Sequence, residues 1–297
     1  MLLNKRIPPY YIINKVKYNF VYVFVVAFLV HYTKNKYADL LPDMPLTIPA
    51  FIGTAISVLL SFKLNQSYDR WWEARKIWGS IVNDSRSLVI QLNTFLGKGN
   101  EAIIKEIAYR QIAWCYSLAQ SLRAVNPLQH LEKYLTPTDL ENLQQHSNKP
   151  LAILQMNAKS IQQLTQNKEL VVYSQMQLDN TLVRLCDSQG RAERIKSTVF
   201  PVTYSLFLHA IIYLFVVTLS ISLDEIPWYF EIPLLLLISS AFFLLEKSAK
   251  HMQDPFENNP TDTAMTAIAT TIEINIKQLL DEKDVPLPHP PNKFYLL

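Results

Sequence analysis

A chain of 297 residues that is 49% hydrophobic and only 18% charged has room for one soluble domain or for a small polytopic membrane protein. Its apolar residues gather into four blocks separated by polar helical sequence, which is the membrane pattern, and a formal net charge of +3 is too small to argue for nucleic acid. Glycines 53, 79, 97, 99 and 190 form neither a dinucleotide fingerprint nor a phosphate loop; the histidines lack HExxH spacing, and neither CxxC nor GxSxG occurs. Nucleotide enzymes, zinc sites and serine hydrolases are thereby disfavoured, and no cofactor or metal is expected.

The N-terminus places Lys5, Arg6, Lys15 and Lys17 ahead of an apolar run from Tyr18 to about Tyr32. The order is that of a secretory signal, but HYTKNKY follows where small residues would suit cleavage, so an uncleaved first membrane helix is expected over about 18–33. The polar connection KNKYADLLPDMP leads back into a second span over about 44–63, with Pro45 and Pro49 at its start, where proline is tolerated. Two stripes run along it. Gly53, Ser57 and Ser61 recur every four residues and permit close helix contact, while Thr54, Val58 and Phe62 beside them face the inside of a bundle. The helical pattern then leaves the membrane and continues to about Leu96, with Trp71, Arg75 and Trp78 on one face. Asp69 and Glu73 stack one turn apart. Without a neighbouring His, Cys or Gly-rich turn, they are expected to pair with Arg70, Arg75, Arg86 or a neighbouring subunit.

An amphipathic helix follows the Gly97–Gly99 break; Thr136 opens a short helix, Asn148 opens another to about Asn167, and a further one runs from near Leu170 to Gln189. Cys115 and Cys186 read as small buried side chains. No charge occurs between Ser197 and Leu223, the third span, where Pro201 is placed to kink the helix and His209 reads as a neutral ring bonded to an adjacent helix. The fourth span covers about 226–245 and tolerates Glu231 only near its outer end, beside an aromatic belt at Trp228, Tyr229 and Phe230. Lys5, Arg6, Lys15, Lys17, Lys63, Arg70, Arg75, Lys76, Arg191, Arg194, Lys196, Lys247 and Lys250 fall on one side of these spans, against Lys34 and Lys36 on the other. Both termini and the middle region are therefore expected in the cytosol. A last helix is expected to be capped near Thr261 or Asp262, and the proline-rich tail VPLPHPPNKFYLL to lie extended across a surface.

The segment SFKLNQSYDRWWEARKIWGSIVNDSR, followed in order by DSQGRAERIKSTVFPVTYS and QDPFENNPTD, resembles the bestrophins, most closely their bacterial branch, over nearly the whole chain. Asp69, Arg70, Trp71, Trp72, Glu73, Arg75, Trp78 and Gly79 carry the densest part of the likeness. The resemblance implies an all-α polytopic ion channel, a homopentamer around one central pore. Residues 1–66 would form the N-terminal segment and first two spans, 67–196 a cytosolic helical region, 197–246 the last two spans, and 247–297 a cytosolic helix and tail wrapping a neighbouring subunit. It puts the pore neck at Thr54, Val58 and Phe62, where Thr54 departs from an all-apolar neck by a hydroxyl, and a cytosolic aperture near Tyr173. The dense acidic run that binds calcium in eukaryotic members is reduced here to Asp254, Glu257 and Asp262. Implied partners are further copies of the chain, the lipid bilayer of a bacterial cytoplasmic membrane, and small monovalent ions passing without chemistry. Anion conduction is the first reading, since the ring edge of Phe62 offers a weakly positive rim. A monovalent cation channel is the alternative; a membrane-anchored enzyme using Asp69, Glu73 or His209, or a non-conducting scaffold, belongs to another class.

Overall fold

The structure, a computed structural model, describes residues 1–2, 5, 7–37, 44–198 and 201–296. The expectations for Arg6, for half of the first polar connection, at 38–43, and for residues 199–200 of the third span lie outside the described residues. In chain order the helices are α1 (Pro9–Lys36), α2 (Thr47–Phe95), α3 (Glu101–Leu122), α4 (Pro137–Gln144), α5 (Lys149–Gln166), α6 (Val172–Ser197), α7 (Val202–Ser222), α8 (Trp228–Gln253) and α9 (Met265–Leu279). The only β pairings among the described residues are isolated bridges at Leu2, Asn292 and Tyr295. Four helices, α1, α2, α7 and α8, are long and apolar enough to cross a membrane, which makes this an all-α polytopic membrane protein.

The chain divides into two compact units, one of Met1–Lys5, Trp71–Thr198 and Asp254–Leu297, the other of Arg6–Arg70 and Val199–Gln253. In the apolar unit, α1, α7, α8 and the first half of α2 surround a core that includes Val23, Ile56, Leu60, Ile212, Val216 and Phe243. In the polar unit, the second half of α2 joins α3, α5, α6 and α9 around Trp78, Ile107, Trp114, Leu185 and Ile272. Arg110 of α3 is held there by both oxygens of Asp139 on α4, at 3.2 and 3.0 Å, and by the Ser160 hydroxyl of α5 at 3.0 Å, so three helices share one buried guanidinium.

Local chemistry explains several helix starts. The Thr136 and Asn148 side chains accept the backbone N–H of Asp139 and Leu151, capping α4 and α5. Several expectations need correction. α1 begins at Pro9 rather than near 18, because proline at a first helical position lacks only an N–H that would have no partner there. α6 runs on to Ser197. Pro201 precedes α7 as its N-cap and produces no kink. α9 starts at Met265 with no side-chain cap, and the Asp262 carboxylate instead accepts the Asn259 N–H at 2.9 Å within the preceding turn. Cys115 is buried, its thiol pushed up to about 12 by loss of water, but Cys186 is exposed. The tail does not stand free: Leu2 bridges Tyr295, and the Leu296 N–H donates to Met1 O at 2.8 Å.

Candidate functional site

The apolar half of α2 has two unlike faces. Ile56, Leu60, Lys63 and Ser67 recur every three or four residues and are all buried, so they form the face turned into the bundle. Thr54, Val58 and Phe62 lie on the opposite side: Thr54 is exposed, Val58 is 49% exposed and Phe62 63%. No side-chain hydrogen bond commits this stripe to another helix, because the Thr54 hydroxyl returns to the Ala50 carbonyl at 2.9 Å. The small-residue stripe splits. A Cβ on Gly53 would stand 3.1 Å from Phe215 Cε2 on α7, so Gly53 permits a close approach within the chain. Ser57 and Ser61 are exposed, and the Ser57 hydroxyl bonds the Gly53 carbonyl at 2.9 Å.

Motif residues downstream brace the chain. Trp71 Nε1 donates to Thr261 O at 3.0 Å, Arg70 Nε to Gln253 O at 2.9 Å, and Trp78 is wholly enclosed. Glu73 pairs with Lys76 at 2.6 Å and approaches Arg191 at 4.0 Å, not the arginines expected from the sequence. Asp69 and Trp72 are exposed, Arg75 is half-buried, and Gly79 has room for a side chain. Tyr173, at the start of α6, is 80% exposed with Val172 and Met176 beside it. Asp254 is occupied by Lys196 at 2.5 Å and by the Phe256 N–H, and among the described residues no cluster of three or more potential ligands could hold a metal.

The sequence reading missed two buried ionic clusters in the apolar unit, both built from Lys, Glu, His and Ser. Lys63 of α2, fully enclosed, donates to Glu246 Oε1 of α8 and to Ser205 Oγ of α7, each at 2.8 Å, while His209 Nε2 of α7 stands 3.3 Å from Glu246 Oε2. His209 thus faces a carboxylate and not merely an adjacent helix. Lys63, counted from the sequence as a cytosolic charge, is an interior one. At the other end of α8, Glu231 lies in the first turn, near the end of the span as expected, and is fully buried. It accepts the Ser220 hydroxyl, meets His31 Nδ1 at 2.9 Å and lies 3.5 Å from Lys34, which also donates to the Ser220 carbonyl at 3.1 Å. Removing such charges from water costs several kcal/mol per ion unless each is paired and hydrogen-bonded; Lys63, Lys34 and Glu231 are, and Glu246 is through Oε1. The visible signal was a charge at 63, 231 and 246 inside otherwise apolar helices; which residues meet was not visible.

Comparison with known proteins bears on all of this. The family described as Bacterial/Fungal Bestrophin protein matches residues 9–278. The voltage-dependent anion channel-forming protein YneE of Escherichia coli (strain K12) is 30% identical over 279 residues, 94% of this chain and 90% of that one. A protein of the same description from Ralstonia nicotianae, RSc3414, is 30% identical over 78% of this chain and 76% of its own. The crystal structure of a bacterial bestrophin homolog from Klebsiella pneumoniae superposes with a TM-score of 0.83 at 26% identity, covering 90% of this chain and 99% of that one.

Proposed function

The chain belongs to the bacterial and fungal bestrophin family, and on that premise we propose that it forms an anion-conducting channel, a homopentamer whose α2 helices line one central neck at Thr54, Val58 and Phe62. The observation that carries this is the outward stripe itself: a largely apolar face of a membrane helix, exposed in the single chain, with its only hydroxyl already satisfied by its own helix. Five copies would turn each stripe residue into a ring, and a ring of Val58 makes a constriction in which an ion loses hydration that no wall group replaces. The anion assignment is supported by the relatives described as anion channel-forming, and by the Phe62 ring edge at one end of the stripe. Permeation is passive and of small monovalent ions, and no residue acts as a catalyst. We place Tyr173 at a second, cytosolic aperture, the spans α1, α7, α8 and the first half of α2 in a bacterial cytoplasmic membrane, and residues 67–196, 247–297 and the N-terminus in the cytosol.

Reconstitution into planar bilayers tests the reading. Reversal potentials in asymmetric potassium chloride are expected to follow chloride, and mass measurement in detergent to give five chains. Cation-following potentials would move the assignment to the cation channel; a stable monomer or a non-conducting oligomer would overturn the channel reading.

A further inference from the structure

We propose that the Lys63–Glu246–Ser205–His209 cluster is a positioning latch for α2, setting the rotation that presents the neck stripe. The inference rests on the reading of Thr54, Val58 and Phe62 as the neck. The apolar part of α2 is held in the bundle largely by non-directional contact, Ile56 and Leu60 packing into the apolar core and Gly53 letting the helix lie close to Phe215, while Arg70 beyond it donates to the Gln253 carbonyl of α8 at 2.9 Å. The Tyr204 hydroxyl adds a neutral hydrogen bond to the Leu59 carbonyl at 2.9 Å. Lys63 is different, because one ammonium makes charge-assisted bonds to two different helices, α7 and α8, at 2.8 Å each. It directly follows Phe62, about 100° around the helix, so a rotation that moves Phe62 must also move Lys63. A rotation of about 20° carries a side chain some 5–6 Å from the axis through about 2 Å, enough to break either bond.

The opposite cluster provides an internal contrast. It has the same four residue types, Lys34, Glu231, His31 and Ser220, but draws them from α1, α7 and α8 and includes no residue of α2. Charge pairing there holds the bundle together without bearing on the neck. In the α2 cluster, Glu246 has one oxygen on Lys63 and the other towards His209, so one carboxylate of α8 faces basic groups of both α2 and α7. The remaining ionisable groups near it are His251, Lys247 and Lys250 on α8 and Lys15 on α1, all coupled electrostatically through His251.

The test uses the full chain reconstituted in lipid, with single-channel currents and oligomer mass recorded for each variant. Lys63→Met with Glu246→Met removes both charges together, leaving no unpaired ion. The oligomer is expected to form with altered unitary conductance, whereas Lys34→Met with Glu231→Met leaves conductance as in the unsubstituted protein. Glu246→Gln alone strands the ammonium and is expected to lower the folded-to-unfolded ratio by about a hundredfold or more. Should the double variant fail to assemble, Lys63→Arg keeps the counter-charge, and its longer forked head is expected to shift conductance. Unchanged conductance in both Lys63→Met/Glu246→Met and Lys63→Arg, while Val58→Ala alters it, would overturn the latch and leave the neck intact. Unchanged conductance in Val58→Ala would overturn the neck reading first.

Discussion

Gly53→Ala provides a stringent test of how α2 is seated. Alanine in place of glycine inside a helix gains about 1 kcal/mol from restricted backbone freedom. At Gly53 the added Cβ meets Phe215 Cε2 at 3.1 Å, with Cδ2 at 3.7 Å and Cζ at 3.8 Å. Phe215 is itself buried, with its ring edge-on to Phe242 at 5.5 Å, so it has little room to withdraw. Overpacking of this kind costs about 1–3 kcal/mol, so the net change is about 0–2 kcal/mol of destabilisation. Two controls carry the backbone gain without the clash. Gly190 in α6 has no atom within 4 Å of an added Cβ, and Ser57 on α2 is exposed. Gly190→Ala is expected to stabilise by up to about 1 kcal/mol, and Ser57→Ala by a few tenths, about 0.5 kcal/mol at most. The measurement is unfolding of the purified protein in a fixed detergent at fixed protein concentration, followed by tryptophan fluorescence. A Gly53→Ala protein as stable as Gly190→Ala would refute the close α2–α7 approach.

Val58→Ala is expected to widen and wet the neck and raise unitary conductance with assembly unchanged, and Val58→Glu to turn selectivity towards cations; bilayer recordings check both. Asp139→Ala removes the bidentate partner of the Arg110 guanidinium, which keeps Glu106 at 2.6 Å and Ser160 at 3.0 Å, and is expected to cost about 1.5–3 kcal/mol in an unfolding titration. Asp262 has its carboxyl raised from 3.8 to about 6, first by burial and then by the charges of Asp254 and Glu257, against the opposing Asn259 N–H. The folded chain therefore holds this proton more tightly than the unfolded one. The corresponding stability is fully present below about pH 4 and is lost as pH rises through about 6. Asp262→Asn is expected to flatten that decline and to gain most above pH 6, read from unfolding midpoints across pH.

What the sequence made legible follows from short-range physics. Apolar blocks of bilayer length, helical spacing through Trp78, and the caps at Thr136 and Asn148 are all decided within a few residues, and α4 and α5 open at those two caps. Pro201 shows where local reading stops: a proline that kinks a continuing helix and one that precedes a new helix look identical until the end of α6 at Ser197 is known. Likewise Cys115 and Cys186 differ only in which face of a helix the neighbours cover. The buried clusters lay further out of reach, since Lys63 finds Glu246 across 183 positions and His31 finds Glu231 across 200. Their discovery also bears on the orientation argument. A lysine neutralised inside the bundle is not a loop charge, so Lys63 leaves the basic side of the count and Lys34 leaves the other. One is removed from each side, and the proposed orientation then sets Lys5, Arg6, Lys15, Lys17, Arg70, Arg75, Lys76, Arg191, Arg194, Lys196, Lys247 and Lys250 against Lys36 alone. The asymmetry sharpens, because the lysines withdrawn are those whose charge is cancelled within the bundle.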